Sequence, residues 1–199
     1  MGTKNALSKP AWTDRVRLSQ AAAMIGVSFR FLRGWYERGL IETSGTDDSR
    51  PGHPHLITLG EVARLAVAVQ VHRLSTVGRN AKWNPGSFLG PFREMFPDAK
   101  LQHLPQGPLR SRAIGWRDSA YVKRMDAEAS QRADDLLLVI SKFQNEPTGE
   151  PQIFTEVTLG EFLRTASVFV VTETAWSLIN VSNVVRQVLE GRDRVLRRR

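Results

Sequence analysis

The chain has 199 residues, 41% of them hydrophobic, and a formal net charge of +8 from 28 Lys and Arg against 20 Asp and Glu. That length suits one or two domains with a real core, and the lack of cysteine excludes disulfides, zinc ribbons and thiolate metal sensing. No apolar run approaches bilayer-spanning length, and the first residues lack the apolar middle of a signal peptide, so a cytoplasmic protein with no membrane partner is expected. The charge is uneven. Residues 1–75 hold 10 basic and 6 acidic side chains, as do residues 76–134, whereas residues 135–199 hold 8 of each. Five of those last cations are Arg192, Arg194, Arg197, Arg198 and Arg199. A basic front with a mildly acidic globular back fits a module facing a polyanion, joined to a domain with another task.

Residues 1–14 are polar, contain Pro10 and read as a flexible arm. Residues 18–41, LSQAAAMIGVSFRFLRGWYERGLI, read as two helices joined by a tight turn. Ser19 is the expected N-cap of the first. Leu18, Ala22 and Ile25 form its apolar stripe. Gly26 ends it where positive φ is needed, and Ser28 caps the second. At about 100° per residue, Phe31, Leu32, Trp35 and Tyr36 of the second helix share one face. Arg30, Arg33, Gly34 and Glu37 share the other, and Gly39 stops the helix. A short helix, a Gly-containing turn and a helix with a basic outer face is the helix-turn-helix plan.

The string GVSFRFLRGWYERGLI resembles the N-terminal module of MerR-type regulators, whose pattern reads roughly GVS-x-x-x-LR-x-W/Y-x-x-x-GLI. Gly26, Val27, Ser28, Leu32, Arg33, Trp35, Gly39, Leu40 and Ile41 match it without a gap. Trp35 in place of the family's tyrosine is closer to the excisionase-like relatives. The resemblance covers about the first 75 residues and implies a winged helix-turn-helix that binds double-stranded DNA with its second helix in the major groove. Arg30 and Arg33 are the expected base readers, since a guanidinium can bond guanine O6 and N7 together. Glu37 is expected to orient Arg33 or to accept from cytosine N4. Ser28 and Arg38 are candidate phosphate contacts, and Phe29 is a further DNA-binding candidate. Gly34 costs a mid-helix position about 0.5–1 kcal/mol, which close approach of DNA would justify; a tolerated surface glycine is the alternative. Arg15 and Arg17 are backbone contacts by resemblance, or two solvated arginines.

Residues 42–57, rich in Gly, Pro, Asp and Ser, lie where a wing belongs. Leu40–Glu42 and Leu56–Ile57 are its expected strands, and Arg50, His53 and His55 its groove or phosphate contacts. The family's Gly-Tyr-Arg-like string is replaced by Gly52, His53 and Pro54, and Asp47 and Asp48 would repel phosphate at a wing tip. Surface loop histidines are the plainer reading of His53 and His55. Two histidines without a third donor make a poor metal site, so no metal is expected. Thr58-Leu59-Gly60-Glu61 reads as a capping box opening a helix to about Leu74, apolar nearly all round over Val62–Val69 and so buried on several sides. The same letters recur at Thr158-Leu159-Gly160-Glu161, read as a helix-start signal used twice rather than a duplicated module.

The Gly and Pro residues of 75–117 forbid a long helix, which removes the family's usual dimerisation coiled coil. Trp83, Phe88, Phe92, Met95 and Phe96 read as core plugs, with Lys82, Arg93 and Lys100 keeping a nucleic-acid stacking surface as the alternative. Residues 118–133 have helical composition. Residues 136–140 read as a strand buried on both faces, 152–157 as a half-covered strand and 176–181 as another; 168–171 is a strand or a helix end. Ser182 is the expected cap of a last helix that Gly191 ends. The expected fold class is α+β: an arm (1–14), a winged helix-turn-helix (15–75), a connecting region (76–134), a small α/β domain (135–191) and a basic tail (192–199) that is either a frayed end or a phosphate-tracking arm. Double-stranded DNA is the expected partner, and a homodimer or a protein partner for the α/β domain stays open. No cofactor and no catalytic residue are expected, because four scattered His and no Cys assemble no nucleophile–base arrangement. Three functions compete: a sequence-specific transcriptional regulator, an excisionase-like or architectural factor of a mobile element, and a winged helix repurposed for protein contact.

Overall fold

The computed structural model describes residues 11–44, 55–76, 86–104, 134–142, 153–158, 160–162 and 175–197. The described elements are β1 (Arg15–Arg17), α1 (Leu18–Ile25), α2 (Phe29–Glu37), β2 (Leu56–Thr58), α3 (Leu59–Thr76), α4 (Gly86–Met95), α5 (Asp98–His103), β3 (Leu136–Lys142), β4 (Ile153–Thr158), β5 (Ala175–Asn180) and α6 (Val181–Arg197). The protein mixes helices with two small antiparallel sheets, an α+β arrangement. The chain divides into two compact units. One is built from Met1–Val69, Asn84–His103 and Gln187–Arg199, the other from Gln70–Trp83 and Leu104–Arg186. Among the described residues no helix is long and apolar enough to cross a membrane.

The first unit contains a two-stranded ribbon. β1 pairs antiparallel with β2, Arg15 opposite Thr58 and Arg17 opposite Leu56. The expected pairing of Leu40–Glu42 with Leu56–Ile57 is therefore corrected: β2 bonds to the segment before α1, and Leu56 O accepts instead from Ser44, its N–H at 2.9 Å and its hydroxyl at 3.4 Å. The arm expected over residues 1–14 is also corrected at its end. Trp12 is buried, and the carbonyls of Trp12 and Asp14 accept the Gly60 and Leu59 N–H groups at 2.9 and 2.8 Å. An indole gains too much by leaving water to stay on a loose arm, and the start of α3 needs acceptors for its orphan donors.

α1 begins two residues earlier than a Ser19 cap would place it, at Leu18. Its N-cap is Arg17, whose N–H is taken by Gln20 Oε1 at 3.0 Å. A side chain in the third helical position thus satisfies the cap amide, and Ser19 is an ordinary first-turn residue. α3 is buried around its girth: Leu59, Val62, Ala63, Leu65, Ala66, Val67, Ala68, Val69 and Val71 are all closed to solvent. Thr58 Oγ1 accepts from the Glu61 N–H at 3.1 Å, the forward half of the capping box. The Glu61 carboxylate does not return to Thr58 but lies 2.6 Å from Arg93 of α4. The second copy of the string does close the box. There Glu161 Oε2 accepts from the Thr158 N–H at 2.9 Å, and Thr158 Oγ1 accepts from the Glu161 N–H at 3.2 Å. Along α4 and into the turn after it, Phe88, Phe92 and Phe96 are buried, with successive ring centroids 5.7 and 6.0 Å apart.

In the second unit, β3 is the central strand of a sheet ordered β4-β3-β5, antiparallel throughout. Leu137, Leu138, Val139 and Ile140 are all buried, so both faces of β3 are covered, as its unbroken apolar run predicts. Ser182 does not cap α6. Its hydroxyl accepts from the Leu136 N–H at 2.9 Å, and Asn180 Oδ1 takes the Asn183 N–H at 2.8 Å as the true cap. Asp135 is fully buried, bonded by Asn180 Nδ2 and by both terminal nitrogens of Arg186.

Gly191 does not end α6 either, which runs on to Arg197. A Cβ on Gly191 would lie 2.8 Å from both Cα and O of Met24 in α1. The glycine is present because two backbones approach there, not because a helix stops. The expected basic tail is thus helical through Arg197, and Arg192 is buried, 3.5 Å from Asp14.

Candidate nucleic-acid interface

The turn between α1 and α2 is built from local rules. Gly26 has φ 76°, and its N–H, like that of Val27, bonds Ala22 O at 3.0 Å. That left-handed residue closes α1 and frees the chain to reverse. Ser28 then caps α2, its hydroxyl accepting from the Phe31 N–H at 3.2 Å. At the other end Gly39, φ 72°, lets Leu40 N–H bond Trp35 O at 3.0 Å.

α2 is strongly two-sided. Leu32 and Trp35 are closed to solvent. Phe31 stacks on Trp35 with centroids 5.0 Å apart, and Tyr36 packs on His55 at 4.0 Å. His55 is thus part of the packing beneath the helix rather than a free loop histidine. Burying one leucine-sized side chain contributes about 1.5–3 kcal/mol, enough to fix the rotation of a nine-residue helix. The opposite face carries Phe29, Arg30, Arg33, Glu37 and Arg38, all exposed, with Gly34 partly so.

The cations on that face differ in how they are held. Arg33 Nε donates to Glu37 Oε1 at 2.7 Å, an exposed pair one turn apart. Such pairs contribute only about 0.3–0.5 kcal/mol, but this one fixes the guanidinium through Nε and leaves its terminal amino groups to donate elsewhere. Arg38 Nε donates back to Gly34 O at 2.8 Å. Among the described residues, Arg30 has no ion-pair partner. A methyl group built on Gly34 meets no atom of another element within 4 Å, so nothing among the described residues requires a glycine there. Arg15 and Arg17 are exposed on β1. Arg50 and His53 lie outside the described residues, as does the expected wing tip.

Arg93 holds the chain just past α2. Its Nη2 donates to Leu40 O at 3.1 Å and to Glu61 Oε1 at 2.6 Å, and its Nη1 lies 3.2 Å from Glu42. Burial disfavours the charge, but the hydrogen bond and charge of Glu61, aided by Glu42, outweigh it and raise the guanidinium above its ordinary value. Arg93 is therefore committed to the unit's own structure. Together with the buried phenylalanines of α4, that removes the alternative of a stacking surface around residues 88–96. No local sequence pattern announces this role, because its partners are 32 and 53 residues away.

The exposed face of α2, with its C-cap, thus joins three arginine heads and an apolar ring along a rod whose reverse side is locked. Carboxylates are few on it, since Glu37 is already engaged by Arg33. Such a surface suits a polyanion with hydrogen-bond acceptors on its edges. No protein-family model matches the chain, and no curated protein is similar to it in sequence.

Proposed function

We propose that the protein is a sequence-specific DNA-binding regulator that reads the major groove with α2 as the second helix of a winged helix-turn-helix. The observation that carries the proposal is the sidedness of α2: Leu32 and Trp35 are buried while Arg30, Arg33, Glu37 and Arg38 stand exposed. Arg30 and Arg33 would bond guanine O6 and N7, each such pair discriminating by about 1–3 kcal/mol. Glu37 would hold Arg33 in register. Ser28 and Arg17 would reach phosphates, as would the terminal nitrogens of Arg38. A regulator of this kind works in the cytoplasm on the cell's own duplex, and a symmetric operator would imply a homodimer.

The test is selection of bound duplexes from random sequence, followed by titration of the selected site at several salt concentrations. The expected result is one consensus, bound with an affinity that falls steeply with salt, and lost discrimination at one position for Arg33→Ala. Failure to retain any duplex above background at low salt would overturn the proposal.

A further inference from the structure

Among the residues whose side chains are described, the exposed large hydrophobic ones are Phe29 at 45% and Leu178 at 36%. Leu178 sits in β5. Phe29 opens α2 directly after its Ser28 cap, beside Arg30 and one turn before Arg33. The helix gives no reason for a phenyl ring there. Phenylalanine is a middling helix former, nearly half of this one stays in water, and α2 is already anchored by Leu32 and Trp35. An apolar ring held in water among arginines makes sense where the partner is anionic overall but offers one apolar group at the point of contact.

Duplex DNA has that character. In the major groove guanine, adenine and cytosine present donors and acceptors, whereas thymine alone adds a methyl group at C5. We propose that Phe29 is a specificity-determining residue that packs on the 5-methyl group of a thymine next to the base read by Arg30 or Arg33. This rests on the DNA-binding reading above and adds a base identity to it. Phe29 supplies contact area only, so its preference is for the methyl group and not for the hydrogen-bonding edge.

The experiment uses the full chain and the duplex obtained by selection, with each thymine replaced in turn by uracil, which removes only the methyl group. For the wild type, one replacement per recognition helix should weaken binding about fourfold, the effect of leaving one methyl-sized group unburied. Phe29→Ala should bind the thymine duplex about as weakly as the wild type binds that uracil duplex, and should not respond to the replacement. Because Phe29 is exposed, its thermal midpoint should match the wild type. Indifference of the wild type to every replacement, or full methyl sensitivity retained by Phe29→Ala, would overturn the methyl contact and leave DNA binding standing. Absence of any bound duplex would overturn both. A change in oligomeric state of Phe29→Ala with unaltered methyl sensitivity would assign the ring to a contact between copies instead, and would likewise overturn it.

Discussion

Glu61 and Arg93 form an ion pair with one member closed to solvent: the carboxylate is 3% exposed and lies 2.6 Å from the guanidinium. The pair fastens α4 to the first turn of α3, and through Leu40 O it also holds the residues that leave α2.

Removing Arg93 strands a buried carboxylate, a change that costs about 3–5 kcal/mol when no other partner remains. Arg64 stays 3.7 Å away, so Arg93→Ala should lose about 3 kcal/mol, read by urea unfolding. Glu61→Gln in the Arg93→Ala background should recover part of it. The raised guanidinium value stabilises the fold at every pH below its ordinary value and is lost only in strong alkali, so the loss should be the same from about pH 5 to pH 9.

Gly34→Ala separates folding from binding. The methyl group meets open space and the position is helical, so stability should rise by about 0.5–1 kcal/mol. If α2 enters the major groove as proposed, DNA affinity should fall by about tenfold, or about 1.4 kcal/mol, because the added carbon would occupy room the duplex needs. Calorimetry and anisotropy titration should therefore move in opposite directions. Unchanged affinity would make Gly34 a tolerated surface glycine.

Gly191→Ala should do the reverse of a normal helix substitution. Alanine would gain about 1 kcal/mol from propensity alone, but its Cβ would meet the Met24 backbone at 2.8 Å. Backbone cannot swing aside as a side chain can, so a net loss of about 1–3 kcal/mol is expected in chemical denaturation.

Asp135→Ala should be among the most damaging single changes in the second unit. It removes the carboxylate that the buried Arg186 guanidinium and the Asn180 amide share, and losing one member of a buried ion pair costs about 3–5 kcal/mol. Replacing both Asp135 and Arg186 with apolar residues of similar size should cost far less than either alone, measured as a double-mutant cycle.

Arg33→Ala should leave the melting temperature within experimental scatter, since an exposed pair contributes about 0.3–0.5 kcal/mol. Its effect should appear as relaxed preference at one base pair, worth about 1–3 kcal/mol of discrimination, in competition titrations with single-base variants of the selected site.

The parts of the fold that sequence conveyed are those governed by short-range rules. The two faces of α2, the Gly26 and Gly39 reversals, the Ser28 cap and the covered strand β3 all follow from periodicity and backbone preference within a few residues. Boundaries failed where a distant partner intervened. Ser182 looks like a cap, but Leu136, 46 residues away, claims its hydroxyl. Gly191 looks like a stop, but α1 approaches it. The Thr-Leu-Gly-Glu strings are identical in letters, yet one glutamate closes its box and the other is drawn to Arg93. The exposed arginines of α2 were legible from the helical wheel, whereas the engagement of Arg93 was not, because long-range ion pairs leave no local pattern.

The close approach at Gly191 also bears on the order of events during synthesis. Residues 187–197 belong to the unit that carries α2, although more than eighty residues of another unit intervene in sequence. A nascent chain cannot finish its first-made unit until that late strut has left the ribosome. A fragment cut after residue 103 would bare Met24 and strip Asp14 of its cation, so recombinant production of the front piece alone should yield a weaker, more protease-sensitive protein than the intact polypeptide.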